Sequence, residues 1–173
     1  GILSAGAGFS SLDGVVGTLQ VQHVNLFGLG QRLNLMWEFG RKKQNYEIGW
    51  TDPWFLNKPV SFGVDLFDTV RTLPFQNDSF AYKKGNRGFG LRLGPRLSDE
   101  LSLIENYNYE RVRVFDIEPK FIGNADPANN ILPSDDIKSA FTTGAVWDTR
   151  DNVFDASRGG RHSATVEVAG GPF

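Results

Sequence analysis

The chain contains no cysteine among its 173 residues, which leaves no thiol nucleophile, disulfide or cysteine-bound metal to argue for. It has no run of 18 apolar residues, which excludes a transmembrane helix and says nothing against a transmembrane barrel. It has no excess of basic charge. Eighteen Lys and Arg against 20 Asp and Glu leave −2, without the basic stripe that a nucleic-acid binder usually carries. A leader with a charged start and an apolar centre is missing as well. The chain opens directly in a strand-like segment, so it reads as a mature protein or an excised piece. What is plentiful is glycine (20), phenylalanine (14) and tryptophan (four), a combination that fits an all-β chain with many turns. The length suffices for one domain. A mean hydropathy of −0.29 is too low for a bundle of membrane helices but not for strands that dilute their apolar residues by alternation.

That alternation is plainest at Leu33, Leu35, Trp37 and Phe39, with Asn34, Met36 and Glu38 between them. Strand side chains point to opposite faces in turn, so one face is apolar and the other largely polar. A helix would need apolar spacings of three and four. The pattern returns about every 20 residues in segments about ten long, the length of a strand that crosses an outer membrane at a tilt.

The first segment, Ile2 to Ser10, sets Leu3, Ala5, Ala7 and Phe9 against Ser4, Gly6 and Gly8. Ser11-Leu12-Asp13-Gly14 then reads as a tight hairpin turn. Further strands carry Val15, Leu19 and Val21, then Tyr46, Ile48 and Trp50, then Val60, Phe62, Val64 and Leu66 on one face. Phe89, Leu91 and Leu93 mark the sixth; Phe141, Ala145 and Trp147 the eighth; Ala164, Val166 and Val168 the ninth, which ends near Gly170-Gly171-Pro172-Phe173. The seventh, Leu101 to about Val114, alternates poorly, because Glu105 falls on the apolar face; a bulge would re-aim it, and the sequence leaves that question open. Asn25 to Gln31, Arg41 to Gln44, Thr51 to Phe55 with its ladder-breaking Pro53, and Gly94-Pro95-Arg96 are the connections. Loops are expected from about Thr69 to Phe80 and from Asp116 to Asp136, the latter with Pro119, Pro127 and Pro133.

About nine up-and-down antiparallel strands result, in one domain over residues 1–173. Longer loops lie on one side and short turns rich in Gly, Pro and aromatics on the other, as in outer-membrane barrels. Trp37, Tyr46, Trp50, Trp54 and Trp147 fall near strand ends, where an aromatic girdle belongs. A soluble barrel or sandwich is the competing architecture. The many glycines and small polar groups of the polar face favour the membrane barrel, whose lumen holds water.

Three turns carry more than generic barrel character. Asn25-Leu26-Phe27-Gly28-Leu29-Gly30-Gln31, Thr51-Asp52-Pro53-Trp54, and Asp148-Thr149-Arg150-Asp151-Asn152 with Phe154 and Ser157-Arg158-Gly159-Gly160-Arg161 resemble turns of the BamA family of outer-membrane assembly factors, in the same order and spacing. Ala156 stands where that family usually has proline. The resemblance implies an all-β, antiparallel transmembrane β-barrel, of which this chain would supply the first nine of sixteen strands, without the periplasmic domains that precede the barrel in the family. It further implies a chain that folds and inserts nascent outer-membrane proteins in the outer membrane of a Gram-negative-type bacterium, with accessory assembly lipoproteins, lipid and lipopolysaccharide as partners. In that scheme the first strand, Leu3, Ser4, Ala5, Gly6, Ala7, Gly8 and Phe9, binds the client strand at its edge. Asn25, Gly28, Gly30, Asp52, Pro53, Trp54, Asp148, Arg150, Gly159 and Arg161 are structural turn residues. No catalytic, cofactor or metal residues are implied, and no nucleic acid.

Competing functions are a two-partner-type secretion pore, a passive channel and a purely structural barrel. A barrel lipase built on His162, Ser163 and Asp148 fails because adjacent strand residues face opposite ways. Gly28-Leu29-Gly30 lacks the third glycine of a dinucleotide fingerprint and reads as a turn. Asp126, Asp135 and Asp136 could hold a hard cation, though a solvated loop is the simpler reading. Arg41, Lys42 and Lys43 are candidate contacts for lipopolysaccharide phosphates. His23 reads as a polar strand residue.

Overall fold

A computed structural model describes residues 1–170; the Ser79 side chain and Gly171, Pro172 and Phe173, the last of the expected ninth strand, lie outside the described residues. The strands are β1 (Ile2–Ser10), β2 (Gly14–Leu26), β3 (Gln31–Gly40), β4 (Lys43–Asp52), β5 (Val60–Phe75), β6 (Asp78–Pro95), β7 (Leu101–Phe115), β8 (Ser134–Asp148) and β9 (Arg161–Gly170). They form a single nine-stranded antiparallel sheet in chain order. Among the described residues no helix is long and apolar enough to cross a membrane.

Register turns the sequence alternation into two chemically distinct faces. One row across the sheet pairs Leu3 with Val21, Leu35, Ile48, Leu66, Phe89 and Tyr109 in succession. The next pairs Leu33 with Trp50, Val64, Leu91, Tyr107, Phe141 and Val168. Many side chains of this face are exposed, including Leu3, Val21, Trp37, Ile48, Leu66, Leu91, Phe141 and Val168, and the others are half-buried. A one-residue slip would turn all of them to the other face, so the apolar band fixes the register. The opposite face is hydrogen-bonded and polar. Gln20 donates to Asn34 (2.8 Å), Asn45 donates to Glu38 (2.9 Å) and Glu47 (2.8 Å), Thr69 donates to Asn45, and Arg92 pairs with Asp65 (2.7 Å). Asn45 is buried there. An apolar outer wall over a polar inner one suits strands standing between lipid and water. Aromatic pairs border the band: Trp37 stacks on Tyr46 at 6.0 Å towards one rim, and Trp50 meets Phe62 edge-on at 6.2 Å towards the other.

Two expectations are corrected. The stretch from Thr69 to Phe80 is not a loop. β5 and β6 continue through it, pairing Thr69 with Asn86 through Leu73 with Tyr82, and turn only at positions 76–77. Charge and polarity there mark where the wall leaves the apolar layer, not where pairing stops; Thr69, Val70, Thr72 and Tyr82 are good strand formers. The question left open at Glu105 resolves without a bulge. This residue pairs in register with Leu93 and Thr143 and stays on the apolar face, where the Thr143 hydroxyl donates to it at 2.9 Å. The long loop ends earlier than expected, at the start of β8 on Ser134. Pro119 and Pro127 open short 3-10 turns within it, and Phe121 is buried edge-on to Phe75 at 5.2 Å.

Candidate functional site: the edge of the first strand and the turns that anchor the sheet

β1 pairs with β2 over its whole length, Ile2 with Gln22 through Ser10 with Gly14, and among the described residues no strand pairs with its other side. All nine of its residues are exposed. Such an edge presents unpaired amides and carbonyls, a template for another strand. Leu3, Ala5, Ala7 and Phe9 lie on the apolar face and Ser4, Gly6 and Gly8 on the polar one, as the alternation predicts.

The glycines of β1 differ from those elsewhere in the wall. A Cβ built at Gly6 or Gly8 would have nothing within 4 Å. At Gly17 it would lie 2.6 Å from Phe39, at Gly63 2.9 Å from Arg92 and at Gly88 2.1 Å from the Tyr109 carbonyl. Gly17, Gly63 and Gly88 make room for neighbours; Gly6 and Gly8 meet none among the described residues. What they do is weaken strand pairing, since glycine adds backbone entropy to the unpaired state and no side chain to the paired one.

The turn end is tied together by the residues that the sequence singles out. Asn25 accepts the Gly30 amide through its side chain at 2.7 Å, with Gly28 and Gly30 at positive φ (76° and 69°). Asp52 accepts the Trp54 amide at 2.9 Å and the Gln31 side chain at 3.0 Å, so it joins the first turn to the second. Pro53 lies beside Gly30. In the third turn Asp148 takes both Nε and Nη of Arg150 (2.9 and 2.7 Å), whose remaining Nη donates to the Val153 carbonyl at 3.0 Å. Arg161 pairs with Asp148 in the ladder. Gly159 sits at φ 82°.

Sequence reasoning missed three of the pins. Glu100 gave no signal, and Gln31 was quoted only as the end of the first turn motif, because their partners are distant in the chain. The Glu100 carbonyl accepts the Asp148 amide at 2.8 Å and its carboxylate accepts the Trp147 indole at 3.3 Å. Asp151, quoted only as part of a motif, accepts the Ser157 hydroxyl (2.5 Å) and the amides of Ser157 and Arg158 (3.0 and 3.1 Å). These bonds favour the carboxylate. The Ser157 hydroxyl and the Arg158 amide hold its pKa down to about 2, against an ordinary 3.8. A depressed carboxylate stabilises above the ordinary value, and that contribution is lost as pH falls through about 2. The Ser157 and Arg158 amides should therefore keep their protection from hydrogen exchange from pH 7 to pH 4 and lose it towards pH 2. Loss of protection already at pH 5 would contradict the role given to Asp151.

Other candidates are not brought together. His162 pairs with Trp147 and Ser163 with Val146, on opposite faces. Asp126 caps a 3-10 turn, Asp135 pairs with Arg111 at 2.5 Å, and Asp136 lies on the other face of β8 from Asp135. Arg41 and Lys42 lie over the Phe80 ring, at 4.9 and 5.1 Å, whereas Lys43 pairs with Glu38 on the inner wall at 2.8 Å. The three cations therefore do not form one phosphate-binding patch. His23 stands at the outer-face row of Leu33, where its Nδ1 accepts the Asn25 amide at 3.3 Å.

Comparison with known proteins follows this geometry. The barrel of BamA from Haemophilus ducreyi, in a crystal structure lacking POTRA domains 1-3, superposes with a TM-score of 0.59 at 18% identity, covering 97% of this chain and 34% of that one. Outer envelope protein 80, chloroplastic, of Arabidopsis thaliana is 42% identical over 60 residues, 31% of this chain and 8% of that protein. The protein of the same name from Oryza sativa subsp. japonica is 38% identical over 83 residues, 44% of this chain and 11% of its own. The chain thus spans about a tenth of the length of these curated relatives. The Omp85 superfamily domain matches residues 25–173, and the chain belongs to the Omp85 superfamily.

Proposed function

We propose that this chain is the part of an outer-membrane assembly factor that offers its first strand as a template to nascent outer-membrane proteins. An incoming strand adds to the β1 edge by main-chain hydrogen bonds, as in β-augmentation. Backbone pairing is indifferent to side-chain sequence, so one edge serves many clients. No nucleotide is required, because strand pairing and apolar burial supply the free energy. The observation that carries this reading is the pair of glycines at Gly6 and Gly8, which no neighbour's packing requires and which make the edge easy to unzip. Nascent barrel proteins, accessory lipoproteins, and lipid with lipopolysaccharide are its partners, in the outer membrane of a Gram-negative-type bacterium.

A plastid outer envelope is the second location to weigh, because the two curated relatives are chloroplastic by name. The rival activity is a secretion pore or passive channel. The parent protein, reconstituted in liposomes, separates the two. Assembly predicts that unfolded barrel proteins of unrelated sequence insert faster into liposomes that contain it. Steady conductance with no acceleration of any client would mean a pore.

A further inference from the structure

The first hairpin is tethered to a strand it does not neighbour. The Asp13 carboxylate, in the β1–β2 turn, lies 2.9 Å from Arg71 Nε and accepts from Arg71 Nη at 3.3 Å. Arg71 is on the inner face of β5, with β3 and β4 standing between it and β2 in the sheet. Neighbouring strands are about 4.8 Å apart, so β2 and β5 are about 14 Å apart along the sheet. The turn must lean in over the lumen to make this contact. Both side chains are partly buried, Asp13 to 13% exposure and Arg71 to 34%.

Charge on the inner wall explains why a carboxylate belongs there. Lys43, Arg71 and Lys84 stand directly opposite one another on β4, β5 and β6, and like charges directly opposite across strands repel. Lys43 has Glu38 at 2.8 Å, and Lys84 makes no ion pair among the described residues. The central cation, Arg71, makes its ion pair with Asp13 from the first hairpin, and Glu38 adds a more distant negative charge. Lys43, Arg71 and Lys84 line a polar cleft of about 360 Å³ together with the carboxylates Glu38 and Glu47.

We propose that the Asp13–Arg71 ion pair is a latch that sets where the β1 edge stands. Arg71 and Asp13 are positioning residues. They touch no client, and they hold the inward curl of the hairpin that carries the templating edge. The proposal rests on the assembly reading for its functional consequence, but the tether itself does not.

The test uses the full-length parent in liposomes, spin-labelled at Val15 on β2 and Val166 on β9, two exposed strand positions. Asp13→Asn and Arg71→Gln should each broaden the Val15–Val166 distance distribution and slow insertion of an unfolded barrel protein about threefold, the scale of a half-exposed ion pair. Asp13→Glu, and the exchange of Asp13→Arg with Arg71→Asp, should restore both. The parent's own distribution should broaden in 1 M salt, where the Debye length is about 3 Å. An unchanged distribution in both single variants overturns the latch. So does a broadened one with insertion unaltered, or an exchange that restores neither. Failure of the templating reading registers separately, as absence of client crosslinks to a cysteine at Gly6 in the otherwise native parent. If those crosslinks form equally in every variant while the distances stay fixed, only the latch is wrong.

Discussion

Replacing Gly159 with valine should abolish folding of the β8–β9 connection, and replacing it with alanine should cripple it. Two independent costs add at this residue. Its φ of 82° lies where a side chain is strained, a cost of about 1 kcal/mol or more for a residue other than glycine. A Cβ there would also stand 2.0 Å from the Thr149 carbonyl oxygen and 2.9 Å from the Arg150 amide nitrogen. Those are backbone atoms, which cannot swing aside as a side chain could. The same backbone forms the closing bonds of the turn: Thr149 donates to the Gly160 carbonyl at 2.9 Å, and Asp151 to the Arg158 carbonyl at 3.1 Å. Relieving the clash breaks them and removes the Asp151 cage around Ser157 and Arg158. The sum should exceed about 3 kcal/mol, in the range of the most damaging single substitutions. Proteolysis between Asp148 and Arg161 in the membrane-embedded parent should rise sharply for both variants. A valine variant as protease-resistant as the parent would show that the turn has another conformation available.

Filling the β1 edge should have the opposite character, leaving the fold intact and removing function. Gly6→Val with Gly8→Val places branched side chains where nothing lies within 4 Å, so no clash opposes them. Strand propensity spans about 1 kcal/mol across the scale, so two such changes strengthen the strand pairing of β1 by an amount worth about tenfold or more in an opening equilibrium. Insertion of client barrels should fall by at least about tenfold, with the parent's thermal stability unchanged or raised. The matched control is Gly88→Val, where a Cβ would meet the Tyr109 carbonyl at 2.1 Å, and which should lose stability. If the β1 double variant inserts clients at the native rate, weak pairing at that edge has no part in the activity.

The fold was legible because strand alternation survives any local noise. Leu33 to Phe39 announces its two faces without help, and the same period recurs at Tyr46, Val60 and Phe89. Strand ends were legible only where a chemical signal coincided with them, as at Pro53 or Asp13-Gly14. Between Thr69 and Phe80 the apolar pattern fades while pairing continues through Leu73 and Tyr82, because the long loop covers this end of the hairpin, with Phe121 packed on Phe75 and Ala81 buried. Glu105 was placed on the apolar face correctly, but whether a bulge re-aims it was open for a related reason. A carboxylate on an apolar face looks like a register error until the Thr143 hydroxyl two strand edges away in sequence, but adjacent in space, is seen to donate to it.

The site divides in the same way. Turn residues such as Asn25, Asp52 and Gly159 carry local rules, a side-chain cap or a positive φ, that a sequence displays openly. Glu100 with Trp147, Gln31 with Asp52, and Asp13 with Arg71 depend on register and curl, which only the folded sheet supplies. The contrast between Gly6 and Gly17 is of that kind too: both read as small strand residues, and only their surroundings separate a packing requirement from a weak seam.

The absence of cysteine from the chain makes the decisive measurement direct. Single cysteines at Ser4, Gly6 and Gly8, and at Ala5 and Ala7 between them, are placed in the full-length parent, and disulfides are sought with newly made outer-membrane proteins that carry a cysteine in their last strand. Templating at the β1 edge predicts crosslinks to several unrelated clients, with yields that alternate along the strand as paired side chains alternate between faces. No crosslink to any client from any of the five positions, beside steady conductance by the same preparation, would contradict it.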